Sequence, residues 1–264
     1  MDRILVIRRG GLGDTVLTAP LLRALRRAHA GAHLHLAGTR EHCDVLCAYG
    51  ACDVALSAED LWLWMPDRAR DALAAFDLVV SDEPGVGQVA LRVTEVGAAT
   101  PFGLQLARRA GLEPRWPDDA WLLRPASAPV GPRALAVGSG GARKCWPRRA
   151  WLELCGRLQR AGHEVEVVVG PVERERDDPR EWAWPGAVGF VTEPTPRALA
   201  SRLQRCGRVY GNDSGVTHLA AALGRPTTAV FVATDPAVWA PVGAHVRVVG
   251  DGRSAPSVEA VFAG

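Results

Sequence analysis

The sequence predicts an α/β protein with two Rossmann-like domains that face a cleft. Three observations support this fold class. An apolar strand, a glycine-rich turn and a helix open the chain, a second strand–turn–helix series begins near residue 133, and a proline-rich stretch at 125–132 separates them. Alternating strands and helices favour parallel sheets with helices on both faces. We therefore expect two domains, residues 1–128 and 129–264.

The composition is that of a globular protein and excludes several functional classes. The 264 residues, 48% of them hydrophobic, can bury one large core or two ordinary ones. A net charge of +2 does not suit a nucleic-acid-binding protein. No apolar run approaches the roughly 18 residues of a membrane span, and charge and glycine follow Ile4–Ile7 too early for a secretory signal. We expect a cytoplasmic protein with at most peripheral membrane contact.

The six cysteines do not form a recognisable metal or disulfide pattern. Cys43, Cys47 and Cys52, beside His42, come nearest to a metal cluster, but their spacing is not that of a zinc site. We expect buried free thiols, no disulfides and no metal.

One residue stands out by its rarity. Of 31 basic residues, Lys144 is the single lysine. Its retention indicates a place where a compact, rotatable ammonium is needed and a planar guanidinium would not serve, although survival by chance is the alternative.

The first predicted strand, Arg3–Arg8, leads into a glycine-rich turn at residues 9–14 and then a helix. Pro20 should kink or restart that helix. The turn is not a dinucleotide-binding fingerprint, because Val16 stands where a third glycine belongs and no acidic residue closes the next strand. Asp14, at the end of the turn, is either a helix cap or a carboxylate that faces a ligand and removes a proton from a hydroxyl.

Further elements complete the alternation. We predict strands at 33–37, 77–81, 133–137, 163–169 and 209–211, and helices at 102–112, 149–161 and 196–206. The aromatic segment Leu61–Met65 is core or a binding surface, and core is the favoured interpretation. The tail after Gly252 shows only weak patterning.

The stretch Tyr210–Pro241 predicts an anion site. Turn residues and N-cap candidates at 211–215 begin a helix that ends near Gly224. A short strand at 227–232 follows and leads into a second loop, Ala233–Pro236. Free N–H groups at such a helix start bind anions, and the carboxyl edge of a parallel sheet is where α/β proteins place ligands.

Three blocks of sequence carry a family resemblance: ILVIRRGGLGDTVLTAPLLRAL at 4–25, GSGGARKCWPRRAWLEL at 138–154 and GNDSGVTHLAAALGRPTTAVFVATDPAVW at 211–239. Together, and in this order, they resemble the ADP-heptose:lipopolysaccharide heptosyltransferases of glycosyltransferase family 9. The resemblance covers most of the chain. It implies the GT-B architecture, with an acceptor-binding first domain, a nucleotide-sugar-binding second domain, and an inverting reaction that needs no metal and no cofactor beyond the ADP-sugar co-substrate.

The resemblance also implies roles for individual residues. Asp14 matches the general base and Lys144 the lysine that steadies the departing diphosphate. On the donor side lie Ser139, Gly140, Glu173 as a ribose ligand, Asp213, Ser214, Gly215 and His218; on the acceptor side lie Arg8, Gly11 and Gly13. His218 is equally well explained as a packed helix residue. No Asp-x-Asp pair, which metal-dependent sugar transferases commonly use, occurs in the chain.

We therefore expect an enzyme that moves a heptose or related sugar from an ADP-sugar to a saccharide or small-molecule acceptor. Arg9, Gly10, Gly11 and Gly140 depart from the family pattern, and the chain is short for the family. The acceptor pocket is thus expected to be remodelled, which leaves lipopolysaccharide and natural-product acceptors both open. The competing hypotheses are a GT-B-like nucleotide-sugar epimerase or hydrolase and a non-catalytic nucleotide-sugar binding protein.

Overall fold

A computed structural model describes residues 2–91, 100–125 and 130–263. The chain forms two compact units, Met1–Leu122 and Leu123–Gly264, which we call unit 1 and unit 2. The boundary expected from the sequence, between residues 128 and 129, lies outside the described residues.

Unit 1 is built on a parallel sheet. Its strands and helices are β1 Arg3–Ile7, α1 Leu12–Val16, α2 Ala19–Ala28, β2 His33–Gly38, α3 Arg40–Ala48, β3 Val54–Ser57, α4 Pro66–Leu73, β4 Leu78–Ser81, β5 Val89–Ala90 and α5 Phe102–Arg109. The strand order β3-β2-β1-β4-β5 is that of a Rossmann fold.

Unit 2 repeats this design. It contains β6 Arg133–Ala136, α6 Arg148–Arg160, β7 Val165–Val168, α7 Pro171–Arg176, β8 Gly189–Val191, α8 Pro196–Leu203, β9 Arg208–Asn212, α9 Gly215–Ala222, β10 Thr227–Val230, α10 Pro236–Trp239, β11 Val246–Val249 and α11 Val258–Phe262. The order β11-β10-β9-β6-β7-β8 is again that of a Rossmann sheet. The predicted α/β class with two parallel sheets is confirmed.

The central strands are buried on both faces, as a nearly continuous apolar run predicts. Ile4–Ile7 of β1 are fully buried, and Leu5 and Ile7 pack in one core cluster with Leu61 and Val79. Parallel register brings strand ends together: Ile7 lies opposite both Ala37 and Ser81. Residues that follow β1, β2 and β4 therefore lie at one edge of the sheet.

The helix after β1 restarts as predicted at Pro20. Helix α1 ends at Val16 and α2 begins at Ala19, which places Pro20 in the first turn of α2. That position tolerates proline because its N–H would have no partner inside the helix.

Three expectations need correction. Cys47 and Cys52 form a disulfide, because a turn at Gly50, whose φ is +72°, reverses the chain at the end of α3 and brings the two Cα atoms to 4.6 Å. In the segment Leu61–Met65, Leu61 is core but Trp62, Trp64 and Met65 are exposed. After Leu61 the chain turns away from the core, so the apolar residues one, three and four positions later lie at the surface.

The third correction concerns the tail, which is ordered structure and not a weak end. Helix α11 buries Val258 and Val261 in the same cluster as Trp151 of α6. The indole of Trp146 donates a hydrogen bond of 2.9 Å to the carbonyl of Pro256.

Among the described residues, no helix is long and apolar enough to cross a bilayer.

Candidate functional site

The unit 2 site lies where the strand order reverses. Strands β6 and β9 are central neighbours whose connections leave in opposite directions, and such switch points are where open α/β sheets bind ligands. The loop after β6 carries Ser139, Gly140 and Lys144, and Asp213 directly follows β9. The sequence-predicted donor-side residues therefore meet at one edge.

Asp213 is the centre of this site. Its Oδ2 accepts hydrogen bonds of 2.7 Å from Nζ of Lys144 and 2.7 Å from Oγ1 of Thr234. Its Oδ1 lies 3.3 Å from Nε2 of His218. The carboxylate is buried, whereas the Lys144 side chain is 35% exposed, so the ammonium sits at the surface of the cluster with further N–H donors to offer.

The pKa of Asp213 reflects this arrangement. Burial alone would raise that pKa, but hydrogen bonds from His218 and Lys144, the charge interaction with His218 and the hydrogen bond from the Thr234 hydroxyl lower it to about 2. The group is thus ionised at neutral pH, and the cost of burying its charge is offset by hydrogen-bond donors from three different segments. A carboxylate that stays ionised can hold the Lys144 ammonium in place, but it is a poor acceptor for a proton.

Helix α9 presents its N-terminus beside this pair. Ser214 is the N-cap, and its hydroxyl bonds to Thr217, accepting from the backbone N–H at 3.5 Å and lying 3.1 Å from the Thr217 Oγ1. The N–H groups of Gly215 and Val216 come before the first intrahelical bond, which His218 N–H makes to Ser214. An anion at this position would meet free donors and the positive end of the helix dipole.

Asn212 joins β9 to the loop after β6. Its Oδ1 accepts a bond of 2.8 Å from the Trp146 N–H and its Nδ2 donates 2.7 Å to the Val137 carbonyl. The buried Ser139 hydroxyl donates 2.7 Å to the carbonyl of Asp213. Ser139, expected to contact phosphate, therefore holds the loop against Asp213.

Helix α7 fixes the same loop from the other side. Arg176 donates to the carbonyls of Ser139 and Gly140, at 3.1 and 2.9 Å. The Glu173 carboxylate accepts 2.8 Å from the Gly170 N–H and lies so close to Gly138 that a Cβ there would be 1.6 Å from its Oε1. A glycine at 138 is required by this close approach.

A cavity of about 310 Å³ opens next to the loop, lined in part by Val137, Trp146, Glu173, Arg176 and Trp182. The Trp182 ring stacks on Trp184, and the Arg148 guanidinium lies 5.0 Å from the Trp182 ring centre. Ser139 also lines the cavity and touches the Asp213 backbone. The cavity and the Asp213 cluster are therefore adjoining parts of one site.

Unit 1 carries a second cluster, at the ends of β1 and β4. Asp14, in the first turn of α1, accepts 2.8 Å from Arg8 through Oδ1 and 3.0 Å from the Gly11 N–H through Oδ2. Arg8 is buried and also donates 2.7 Å to Asp82. The Asp14 side chain is 37% exposed. The N-cap of α1 is Gly11, and Asp14 makes a capping contact by accepting from its N–H while remaining an accessible carboxylate. The capping and ligand-facing interpretations from sequence are therefore compatible.

The remaining unit 1 residues support that carboxylate. Gly10 has φ of +129°, and a Cβ there would come within 2.7 Å of the Asp14 Oδ2. Gly13 lies in the first turn of α1 beside it. His42 of α3 is near enough for Asp14 to act on its pKa, although burial is the largest cause and lowers that pKa.

Four residues of these clusters escaped the sequence analysis: Asp82, Arg176, Asn212 and Thr234. Asp82, Asn212 and Thr234 end or follow a strand, and Arg176 lies one helical turn after the predicted residue Glu173. Their position near the carboxyl edge of a sheet is therefore the sequence signal that could have identified them. Thr234 lies inside the loop Ala233–Pro236 that was predicted to face the ligand, without being singled out.

The fold and site define a class, that of two-unit α/β proteins with a polar cluster and a helix N-terminus at one sheet edge. The sequence profile of glycosyltransferase family 9 (heptosyltransferase) matches residues 69–261, and the chain belongs to this family. Lipopolysaccharide heptosyltransferase 1 of Escherichia coli K12 is 30% identical over 105 residues, or 40% of this chain and 33% of that protein. The aligned part therefore spans about a third of this curated relative.

Two solved structures share the fold. E. coli heptosyltransferase WaaC with ADP has a TM-score of 0.72 at 19% identity, covering 99% of this chain and 98% of that one. E. coli ADP-heptose lps heptosyltransferase II has a TM-score of 0.71 at 17% identity, covering 98% and 94%. The predicted GT-B fold class is confirmed.

Proposed function

We propose that this protein is a glycosyltransferase that moves a heptose or related sugar from an ADP-sugar to a hydroxyl of a saccharide or natural-product acceptor. The observation that carries the proposal is the Lys144–Asp213 pair of 2.7 Å beside the N-terminus of α9. The family and the relatives' names, which include ADP and ADP-heptose, support the nucleotide and the sugar.

Lys144 and the N–H groups of Gly215 and Val216 would hold the diphosphate. One partly exposed ammonium and a helix N-terminus supply positive potential where charge grows on the leaving group. Because these groups place an ammonium and N–H donors against the diphosphate, we propose that transfer requires neither a metal ion nor a further cofactor. Among the described residues, no group of three or more potential metal-ligating side chains is present.

The adjoining cavity would take the nucleoside. Its volume of about 310 Å³ is at the small end of ligand pockets. Aromatic and aliphatic side chains share its walls with the charged residues Arg148, Glu173, Arg176 and Asp177. Glu173 lines it, and its carboxylate, already fixed by the Gly170 N–H, can accept hydrogen bonds from ribose hydroxyls.

Asp14 would act as the general base. As the acceptor oxygen forms a bond to C1 of the sugar, the bond from C1 to the diphosphate oxygen breaks, the hydroxyl proton passes to Asp14 and ADP leaves. This single displacement inverts the anomeric centre. Arg8 and the Gly11 N–H hold the carboxylate in a fixed orientation, which general-base catalysis needs. Arg8, Gly11 and Gly13 thus shape the acceptor side.

The test combines ADP-heptose with a panel of saccharide and small-molecule acceptors, with products detected by mass. Wild type should form a glycosylated product and ADP. Asp14→Asn should lower the rate by at least about 100-fold, while ADP still raises the melting temperature as in wild type. Asp44→Asn, a change at an exposed carboxylate on α3, is the matched control and should transfer normally.

Other outcomes would contradict the proposal in distinguishable ways. Normal transfer by Asp14→Asn would remove the assigned base. Release of free heptose without acceptor would instead assign a hydrolase. Donor binding with no turnover on any acceptor would instead assign a binding protein.

A further inference from the structure

The Asp213 carboxylate is held by side chains from three separate segments. Lys144 reaches it from the loop after β6, His218 from α9, and Thr234 from the loop after β10. Lys144 and Thr234 bond to the same oxygen, Oδ2, at 2.7 Å each. The position of this one atom therefore depends on Thr234 and in turn determines where the ammonium of Lys144 lies.

Lysine itself provides little positional control. Its ammonium ends a flexible four-carbon chain, and its side chain is 35% exposed. Within the described residues, the Asp213 carboxylate is the one hydrogen-bond partner of the ammonium. A fixed acceptor is consequently what keeps this charge at the N-terminus of α9.

Thr234 is itself firmly placed. Gly252, with φ of +74°, brings its backbone so close that a Cβ would lie 2.0 Å from the Thr234 carbonyl oxygen. The next residue, Asp235, caps α10 by accepting 2.9 Å from the Ala237 N–H. The Thr234 hydroxyl thus projects from a loop that is fixed on both sides.

We infer that Thr234 is a positioning residue for recognition of a nucleoside diphosphate, acting through the Asp213 carboxylate on the ammonium of Lys144. The inference rests on the proposed function, since it takes the cluster to be the diphosphate site. Thr234 need not contact the ligand itself. Its hydroxyl prevents Asp213 from turning about its terminal bond and withdrawing Lys144 from the phosphate.

The inference makes a selective prediction. The nucleoside cavity joins the cluster through Ser139, so the phosphate that is farther from the nucleoside should depend most on Lys144. Removing the Thr234 hydroxyl should weaken the binding of ADP more than the binding of AMP. Losing a hydrogen bond to a charged group is enough to change a dissociation constant about tenfold or more. We therefore expect the affinity for ADP to fall about tenfold and the affinity for AMP to fall less than about threefold.

Calorimetric titration of the full chain with ADP and with AMP measures this difference. Thr234→Val removes the hydroxyl and keeps the shape, Thr234→Ala removes it without placing a methyl group against the carboxylate, and Thr234→Ser retains it and should bind ADP within about threefold of wild type. Thr227→Val is the matched control. Thr227 is fully buried at the end of β10 that lies away from the loop carrying Thr234, and its hydroxyl donates to the Arg225 carbonyl.

A double-mutant cycle tests whether Thr234 acts through the lysine. In a Lys144→Met background, Thr234→Val should have no further effect on ADP affinity. An unchanged ADP affinity in both Thr234→Val and Thr234→Ala, an equal loss for AMP, or fully additive effects with Lys144→Met would each overturn the inference. Failure of wild type to bind ADP would instead contradict the proposed function, and the inference would fall with it.

Discussion

At the scale of residues, the unit 2 site is built around a buried carboxylate that must be stabilised. Asp213 remains ionised in the core because three donors reach it, and its pKa of about 2 records the balance between burial and those donors. The same donors include the cation that would hold the ligand. Stability and ligand recognition are therefore linked at this position.

This linkage predicts a pH-dependent stability difference. The folded-state pKa of Asp213, about 2, lies below the ordinary value of 3.8, so the stabilisation that its charge provides is present above about pH 4 and is lost as the pH falls through 2. Asp213→Asn should lower the free energy of unfolding at pH 7 on the order of 2 kcal/mol. Urea titrations at pH 7 and at about pH 2.5 should show the difference shrinking.

A suitable control is Asp67→Asn, since Asp67 is 96% exposed and should contribute little at either pH. If Asp213→Asn lowers the free energy of unfolding as much at pH 2.5 as at pH 7, that loss does not come from the charge of the carboxylate and the explanation is wrong.

Several residues of the site could be predicted from sequence, and others could not. Lys144 was identified by its rarity, and Asp14 and Asp213 by their places in glycine-rich turns after strands. Thr234 carries no such signal, because a threonine in a loop is common and its role arises from a contact 21 positions away in the chain.

At the scale of elements, the loop after β6 owes its shape to α7. Arg176 holds two of its carbonyls, and Glu173 occupies the space beside Gly138. Helix α7 is short, residues Pro171–Arg176, yet it positions both the loop and a wall of the cavity.

We predict that two glycines of this loop respond differently to alanine. Gly138→Ala would place Cβ 1.6 Å from the Glu173 Oε1, so the carboxylate must move and ADP affinity should fall about tenfold. At Gly140 a Cβ meets no atom within 4 Å, and Gly140→Ala should leave ADP affinity within about twofold, since open space imposes no steric cost. Titration with ADP compares them, and equal losses at both positions would refute this view of the loop.

The elements that the sequence predicted well are those with a continuous local pattern. Strand β1, the restart at Pro20 and the helix after Asn212 follow from apolar runs, proline placement and turn residues. The exposed indoles of Trp62 and Trp64 were wrongly favoured as core, because composition does not reveal which side of a short segment faces the sheet. The packing of α11 on α6 is a long-range contact that local pattern could not indicate.

At the scale of the whole molecule, the repeat of strand–turn–helix openings was the informative signal. It predicted two parallel sheets, and both have Rossmann strand order. The positions of the two candidate sites follow from that order, because central strands with oppositely directed connections leave a crevice at their carboxyl ends. The disulfide between Cys47 and Cys52 was not predictable, since it depends on a turn that spacing alone does not reveal.

The central claim is that the Lys144–Asp213 pair and the N-terminus of α9 hold the diphosphate of the sugar donor. A crystal structure of the full chain with ADP tests it most directly. The account predicts a β-phosphate oxygen within about 3.2 Å of the Lys144 Nζ and of the Gly215 or Val216 nitrogen. A well-defined ADP whose phosphates lie away from both groups would contradict it.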